Sequence, residues 1–238
     1  MSVVIPVKDD AENLRRCLTL LAAQTVAPFE VVVVDNGSSD DTANVAREFG
    51  ARVVEHLGGG IPAASAAGYD AATGEIIARL DADCVPPANW VQVIDEYFGD
   101  HVGASAVTGG AHFTDGPVRL RRVGAALYLG AYFAVLAPAL GHPPIFGSNC
   151  AIRRSVWLEV GPLVHRTDEL VHDDLDLAFH VGPLRRIGYS RDLRMGISSR
   201  PFADGKAFAL RMRRGWHSVV VHWPIDLPWR RWQRRIAG

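Results

Sequence analysis

The chain has 238 residues, enough for one sizeable domain or for a domain with a small appendage. Hydrophobic residues make up 48% and charged residues 21%, which excludes a disordered chain. The formal net charge of −1 excludes the global basic field of a nucleic-acid-binding protein. No CxxC pair occurs among the three cysteines, so neither a cysteine zinc site nor a disulfide framework is expected.

The first half of the sequence alternates short β-branched runs with helical patterns. Asp9 followed by Glu12 predicts a capping box for the first helix, and Ser38 or Ser39 is suited to cap the second. Pro62 favours the start of a third helix. The predicted strands occupy residues 3–7, 31–34, 52–55 and 76–80.

Alternating strands and helices predict an α/β fold with a Rossmann-like, mostly parallel sheet flanked by helices. In such sheets, ligands bind beyond the carboxyl ends of the strands. Asp9, Asp35, Asp81 and Asp83 all follow predicted strands. The sequence therefore places a cluster of acids at the ligand-binding edge.

The second half is less regular. A helix is predicted after Pro86 and Pro87, and a strand at 105–113. We expect one domain overall. Residues 1–100 would form a nucleotide-binding half, and residues 101–238 would form an irregular half that binds the acceptor, a second substrate.

Two segments of the second half raise the question of membrane contact. Residues 123–140 carry no charge, which suits a buried or interfacial helix better than a membrane span, because glycines, alanines and a proline interrupt the segment. The tail WRRWQRRIAG suits either an anionic membrane surface or a solvated basic tail. No basic region precedes the first strand, so we expect a cytoplasmic protein, peripheral at the inner face of the cell membrane.

Asp81 and Asp83 carry the clearest chemistry. On a strand, residues two apart face the same side, and two carboxylates there form a hard oxygen site for Mg²⁺ or Mn²⁺. A cation bound there would stabilise a diphosphate leaving group. The alternative is a solvated loop with two acids, but the position after a buried strand favours the metal site.

Other acids have two interpretations each. Asp35 can accept a hydrogen bond from a nucleobase or ribose, or stabilise the turn that follows it. Asp9 can touch the base or cap the first helix. The acids at 173–176 suit either a general base or the acidic first turn of a helix.

Several stretches together resemble the family 2 glycosyltransferases, which have the GT-A fold. They are VVIPVKDDAENLRRCLTLLAAQT, FEVVVVDNGSSDDT, ATGEIIARLDADC, GSNCAIRRSVWLEVG and HDDLDLAFHV, in the family's order. The resemblance implies that Pro6 and Val7 line the base pocket, and that Asp35 contacts the nucleobase. It also implies that Asn149 lies near the donor sugar and the acceptor.

The same resemblance implies the catalytic roles. Asp81 would lie near the ribose or sugar, and Asp83 would ligate the metal that holds the diphosphate. Asp173 and Asp174 match the family's Glu-Asp pair, which makes Asp173 a donor contact and Asp174 the catalytic base of an inverting displacement. The expected enzyme is a metal-dependent hexosyltransferase that uses a nucleotide-sugar donor.

The acceptor is expected to be a saccharide, either lipid-linked or part of a cell-envelope glycan, and nucleic acid is not an expected partner. One departure supports an alternative: Ser65 stands where many family members have arginine, so a basic donor contact is missing or supplied by Arg79 or Lys8. The alternative is a non-catalytic nucleotide-sugar- or membrane-binding subunit of a glycan assembly complex. A sugar nucleotidyltransferase fits less well, because its glycine-rich N-terminal signature is absent.

Overall fold

A computed structural model describes residues 1–115, 118–199, 205–223 and 225–237. Within these ranges there are seven strands: β1 (Ser2–Val7), β2 (Glu30–Asp35), β3 (Arg52–Glu55), β4 (Ile76–Arg79), β5 (Ala104–Phe113), β6 (Cys150–Arg153) and β7 (Arg186–Ile197). The helices in the same ranges are α1 (Ala11–Ala22), α2 (Thr42–Glu48), α3 (Gly60–Ala71), α4 (Trp90–Asp100), α5 (Val118–Leu140), α6 (Arg154–Val160), α7 (Asp173–Val181), α8 (Gly205–Val220) and α9 (Pro228–Ala237).

The seven strands form one sheet in the order β3-β2-β1-β4-β6-β5-β7. The pairs β1–β2, β1–β4, β2–β3 and β5–β7 are parallel, whereas β6 runs antiparallel to both of its neighbours. The predicted mostly parallel α/β sheet is therefore confirmed. The sheet continues across residue 100, because β4 pairs with β6. The functional division at that residue stays a prediction.

Helices cover both faces of the sheet. Val3 and Ile5 on β1 belong to the core that packs under α1 and α4, and Val4 faces the opposite core under α3 and α7. On that second face α3 lies very close to the sheet, because a Cβ at Gly68 would stand 2.4 Å from Val4 Cγ1. This close packing explains why α3 is built mainly from small residues.

The helix starts differ from the predicted ones. The capping box predicted at Asp9 is wrong, since the N-cap of α1 is Asp10, whose own side chain makes no capping hydrogen bond. Asp9 has a φ of 49°, and its Oδ1 accepts hydrogen bonds from the Ser39 backbone N–H at 2.7 Å and hydroxyl at 2.9 Å. The N-cap of α2 is Asp41, so the prediction of Ser38 or Ser39 there is also wrong. Asp9 and Ser39 therefore bond to each other across two loops and do not cap the helices that follow them.

Helix α5 is only partly buried. Only 17% of the window Val123–Leu140 is buried, so the buried alternative predicted for this segment is wrong. By length and composition alone, this helix could cross a membrane. Leu127 and Val135 are each 70% exposed. The segment therefore presents apolar side chains outward.

Candidate active site

The carboxyl ends of the central strands bring the predicted donor-pocket residues to one edge of the sheet. Val7 at the end of β1 pairs with Asp35 at the end of β2, and Pro6 pairs with Val34 beside them. Asp35 Oδ1 accepts the Ser38 N–H at 2.9 Å, which stabilises the following turn. Pro6, Val7 and Asp35 thus lie together as predicted, whereas their contact with a donor stays a prediction.

Asp81 and Asp83 lie in a turn beyond β4. The strand ends at Arg79, and the Cys84 N–H donates to the Asp81 carbonyl oxygen at 3.0 Å, so the argument from strand alternation is wrong. The turn nevertheless gathers their ligand atoms, because carboxylate oxygens of both acids and the Cys84 thiol lie within 4.8 Å of one another. Burial raises the pKa of the Cys84 thiol well above its usual value, which keeps it protonated. The two carboxylates are then the groups suited to a hard divalent cation.

Arg79 joins this turn to α7. Its Nη2 lies 3.0 Å from Asp81 Oδ1 and its Nη1 lies 2.9 Å from Asp173 Oδ2, with only 5% of the side chain exposed. Burial disfavours the charged guanidinium, but Asp173 and Asp81 outweigh that effect and raise the pKa of Arg79. A Cβ at Gly147 would lie 2.0 Å from Nη1, so the bridge requires glycine there.

Two consecutive residues connect Asp81, a candidate metal ligand, to the predicted base Asp174. The Gly147 N–H donates to Asp174 Oδ2 at 2.8 Å, and the Ser148 hydroxyl donates to Asp81 Oδ2 at 2.5 Å. The other oxygen of Asp174 accepts the Leu175 N–H at 2.7 Å. Asp174 is therefore oriented at the start of α7, close to the Asp81 turn.

Asp173 lies inside this arrangement, with 14% of its side chain exposed. Burial raises the pKa of its carboxyl, and the Arg79 guanidinium partly offsets that effect. Ser65 is buried beside Asp173 and lowers that pKa. Because Arg79 is enclosed by acids, it is not an open donor contact, and exposed Lys8 is the better candidate for the missing basic group.

Asn149 requires a correction. Its side chain has no exposed surface, its Oδ1 accepts the Trp90 indole N–H at 2.8 Å, and its Nδ2 donates to the carbonyls of Gly110 at 2.9 Å and Leu193 at 3.0 Å. These bonds join α4, β5 and β7. The predicted donor contact by this side chain does not fit the structure, because the amide is used inside the fold.

Sequence reasoning missed the groups that connect the acids. Arg79, Gly147 and Ser148 come into contact through the pairing of β4 with β6, in which Arg79 lies opposite Cys150. An arginine inside an apolar run, two residues before an acid, was the available signal.

Curated glycosyltransferases match parts of this chain. Glycosyltransferase AglE of Haloferax volcanii is 39% identical over 100 residues, which cover 39% of this chain and 33% of AglE. A PGL/p-HBAD biosynthesis glycosyltransferase of Mycobacterium bovis is 34% identical over 115 residues, which cover 45% of each chain. The matched stretches thus span less than half the length of these relatives.

Solved structures share the fold across most of this chain. Mannosyltransferase PcManGT from Pyrobaculum calidifontis, in complex with GDP-Man and Mn²⁺, has a TM-score of 0.68 at 23% identity and covers 91% of this chain and 61% of its own. TarS from S. aureus, residues 1–349 with UDP-GlcNAc, has a TM-score of 0.65 at 18% identity and covers 87% of this chain and 60% of its own. These neighbours are GT-A glycosyltransferases, so the predicted GT-A fold is confirmed.

The family model of Glycosyl transferase family 2 matches residues 2–161. Its match includes the donor-edge strands, the turn with Asp81 and Asp83, and the residues that bridge to α7. As this match covers more than half of the chain, the protein belongs to glycosyl transferase family 2.

Proposed function

We propose that this protein is an inverting, metal-dependent glycosyltransferase of the hexosyltransferase type. It moves a sugar from a nucleoside-diphosphate sugar to a hydroxyl group of a saccharide or lipid-linked acceptor. The observation that carries the proposal is the connection of the acids: Arg79 joins Asp81 to Asp173, and residues 147 and 148 join Asp174 to Asp81. A candidate metal site and a candidate base therefore share one rigid framework.

The carboxylates of Asp81 and Asp83 would hold the metal. Their oxygens are close enough to share one ion, and Mg²⁺ and Mn²⁺ prefer such oxygen ligands together with substrate phosphates. A cation there would neutralise charge on the departing nucleoside diphosphate. The Mn²⁺ in the PcManGT complex supports a divalent metal at this position.

Asp174 would accept the proton of the acceptor hydroxyl. Two backbone N–H groups hold its carboxylate, one on each oxygen, and leave further lone pairs for the acceptor. A single base beside the donor fits a one-step displacement at the anomeric carbon, which inverts its configuration. Asp173 and Arg79 would position the start of α7, and Asp173 would border the donor sugar.

The nucleoside would occupy the edge formed by Pro6, Val7 and Asp35. Asp35 lies at the end of β2, where its second carboxylate oxygen can accept from a base N–H. Asp9 is more exposed, and its bonds to Ser39 hold together the two loops that would border the base. The GDP-Man and UDP-GlcNAc complexes of the neighbours support a nucleotide-sugar at this edge.

We also propose a cytoplasmic protein that is peripheral at the inner face of the cell membrane. Helices α5, α8 and α9 carry exposed apolar residues, including Leu127 at 70%, Trp216 at 64% and Trp229 at 59%. Exposed arginines accompany them, such as Arg213 and Arg235. Tryptophan and arginine on one surface suit an anionic lipid interface, where a lipid-linked acceptor would be available.

The proposal is tested with Asp174→Asn. A verified donor–acceptor pair should show a loss of transfer of about 10²–10⁴-fold, the usual contribution of a general base, while donor binding stays within a few-fold of wild type. Asp192→Asn, at an exposed position on β7, is the matched control and should retain activity. Full transfer by Asp174→Asn would contradict the assignment. Donor binding without turnover by the wild-type protein would favour the non-catalytic subunit.

A further inference from the structure

A second polar cluster lies further along α7, beyond Asp173 and Asp174. It consists of His165 in the α6–α7 loop, Asp176 and His180 on α7, and His222 just after α8. One oxygen, Asp176 Oδ1, lies 2.7 Å from His165 Nδ1, 3.1 Å from His222 Nε2 and 3.4 Å from His180 Nε2. Asp176 and His222 expose only 3% and 4% of their side chains. Three imidazoles therefore converge on one buried carboxylate oxygen.

The tautomer of His222 makes this convergence unusual. Its Nδ1 lies 2.8 Å from the Ser218 carbonyl oxygen, and since a carbonyl only accepts, Nδ1 carries the proton. In the neutral ring, Nε2 then carries no proton and lies 3.1 Å from Asp176 Oδ1. Neither His222 Nε2 nor His180 Nε2 is directed at Asp176 Oδ1 well enough to make a hydrogen bond, although both atoms are buried. A buried ring nitrogen without a hydrogen bond requires another partner, and a metal ion bound beside Asp176 Oδ1 would supply one.

We propose that His165, Asp176, His180 and His222 bind a divalent transition-metal ion, with Zn²⁺ as its natural occupant. The four ligand atoms lie within 4.8 Å of one another, whereas a tetrahedral zinc site with bonds of about 2.0–2.1 Å separates its ligand atoms by roughly 3.3 Å. Small side-chain shifts would convert the observed cluster into a tetrahedral site. Three imidazoles and one carboxylate suit Zn²⁺ and disfavour Mg²⁺ and Ca²⁺, which prefer oxygen ligands.

The surroundings supply what a metal site needs besides its ligands. The Ser218 carbonyl accepts from His222 Nδ1, and Phe179 stacks on the His222 ring with centroids 4.0 Å apart, so the ring orientation is set. The His165 backbone N–H donates to Asp176 Oδ2 at 2.8 Å and holds the other carboxylate oxygen. About a third of the His165 side chain, 34%, is exposed, which gives an ion a way in.

The site would fasten the end of α8 to α7. Asp176 and His180 belong to α7, which also carries Asp173 and Asp174 at its start, and His222 follows α8. The metal is therefore structural: no open coordination position remains once all four ligands bind. It differs from the candidate donor metal at Asp81 and Asp83 in ligand type and place.

The test is a zinc titration of the full chain, prepared without a histidine tag and stripped with a chelator. A chromophoric chelator competes for Zn²⁺ in the presence of excess Mg²⁺, with no donor or acceptor. We expect one equivalent of tightly bound Zn²⁺, a rise in melting temperature on binding, and the strong visible absorption of tetrahedral cobalt when Co²⁺ replaces it. His222→Ala and His165→Ala should each weaken Zn²⁺ binding at least tenfold.

Two variants serve as controls. His217→Ala removes another histidine of α8 that pairs with an aspartate, since His217 Nε2 lies 2.7 Å from Asp168, and should leave zinc binding unchanged. Asp83→Ala should also keep the zinc equivalent, which separates this site from the donor metal. His165→Ala keeps the test valid if His222→Ala fails to fold, because His165 is partly exposed. Absence of tight Zn²⁺ binding, or its retention in His165→Ala, would overturn the proposal.

Discussion

Arg79 is the residue on which the connection between the two acidic groups depends. Replacement by methionine keeps the apolar stem but leaves Asp81 and buried Asp173 without their cation. Because breaking one side of a buried ion pair leaves an uncompensated charge, we expect Arg79→Met to lower the free energy of unfolding by about 3–5 kcal/mol. Urea denaturation at neutral pH measures this loss.

Arg15→Met is the matched control. Arg15 pairs with Glu48, but the side chains are 47% and 51% exposed, and exposed pairs contribute about 0–1 kcal/mol. Equal destabilisation by the two variants would contradict the bridging role of Arg79.

At the residue scale, the sequence predicts which acidic residues lie at the candidate site better than it predicts the groups that contact them. Asp35, Asp81 and Asp83 follow β-branched runs, and a parallel sheet brings such strand ends to one edge. Arg79 meets Gly147 only because β6 returns antiparallel to β4 after a long insertion, a register that no local pattern reveals. The resemblance implied a donor contact for Asn149, and no local pattern reveals its partners in β5 and β7, which are distant in sequence.

At the element scale, Glu30 joins the start of β2 to neighbouring elements. Its carboxylate accepts hydrogen bonds from the Ser2 hydroxyl at 2.6 Å, the Thr73 N–H at 2.7 Å and Arg52 at 2.7 Å. Burial raises the pKa of Glu30, but these bonds outweigh it and lower the pKa to about 2. The charged carboxylate therefore stabilises β1, β2 and β3 at the edge away from the candidate site.

This predicts a stability that depends on pH. Since the folded pKa lies below the ordinary value of 4.5, the stabilisation is present above pH 4.5 and is lost as the pH falls towards about 2. Glu30→Gln should cost about 1–2 kcal/mol at pH 7, and the difference from wild type should shrink below pH 4.5. Denaturation at several pH values measures it, with exposed Glu75→Gln as control. A constant difference from pH 7 to pH 3 would contradict the prediction.

Elements were predictable where local patterns decide them. Residues 52–55 form the predicted strand, and the strand at the N-terminus differs by a single residue. Helix caps were not predictable, because partners come from segments distant in sequence: Asp9 accepts from the Ser39 N–H, and Asp40 accepts from the Ala11 N–H at the start of α1. For residues 123–140 only the buried alternative failed, because an uncharged, alanine-rich segment is equally suited to a core and to an apolar outer surface.

At the scale of the whole molecule, α5, α8 and α9 define the surface that we propose meets a membrane. The side chains of Phe208, Met212, Trp216 and Val220 recur every four residues along α8 and are exposed by 41%, 48%, 64% and 37%. On α9, Trp232 donates its indole N–H to the Pro138 carbonyl at 2.8 Å and ties that helix to α5. Because Arg211 of α8 also donates to the Tyr128 hydroxyl of α5, the exposed apolar side chains of α8 and α9 belong to helices that each contact α5.

Sedimentation with lipid vesicles tests this surface. The protein should bind vesicles rich in phosphatidylglycerol, bind neutral phosphatidylcholine vesicles more weakly, and dissociate as salt screens the arginines. The double variant Trp216→Ala, Trp229→Ala should lose binding several-fold. Leu184→Ala, an exposed apolar residue outside these helices, should bind as wild type does. Equal binding to both lipids and by all variants would contradict a specific surface.

The histidine cluster could not be predicted from the sequence, for the same reason as the contacts of Arg79. Its ligands are spread from residue 165 to residue 222, so they meet only when α8 packs against α7. The local signal was Asp176 followed four residues later by His180, which places both side chains on one face of a helix. Cysteine spacing, the usual pointer to zinc, gave no indication of it.

Calorimetry of donor binding tests the central claim most directly. A panel of nucleoside-diphosphate sugars is titrated into the protein with and without Mn²⁺. We predict that one donor binds, that binding requires the metal, and that Asp83→Ala abolishes it whereas Asp95→Ala, at an exposed position on α4, does not. Donor binding that does not require the metal and is unchanged in Asp83→Ala would contradict the proposed site at Asp81 and Asp83.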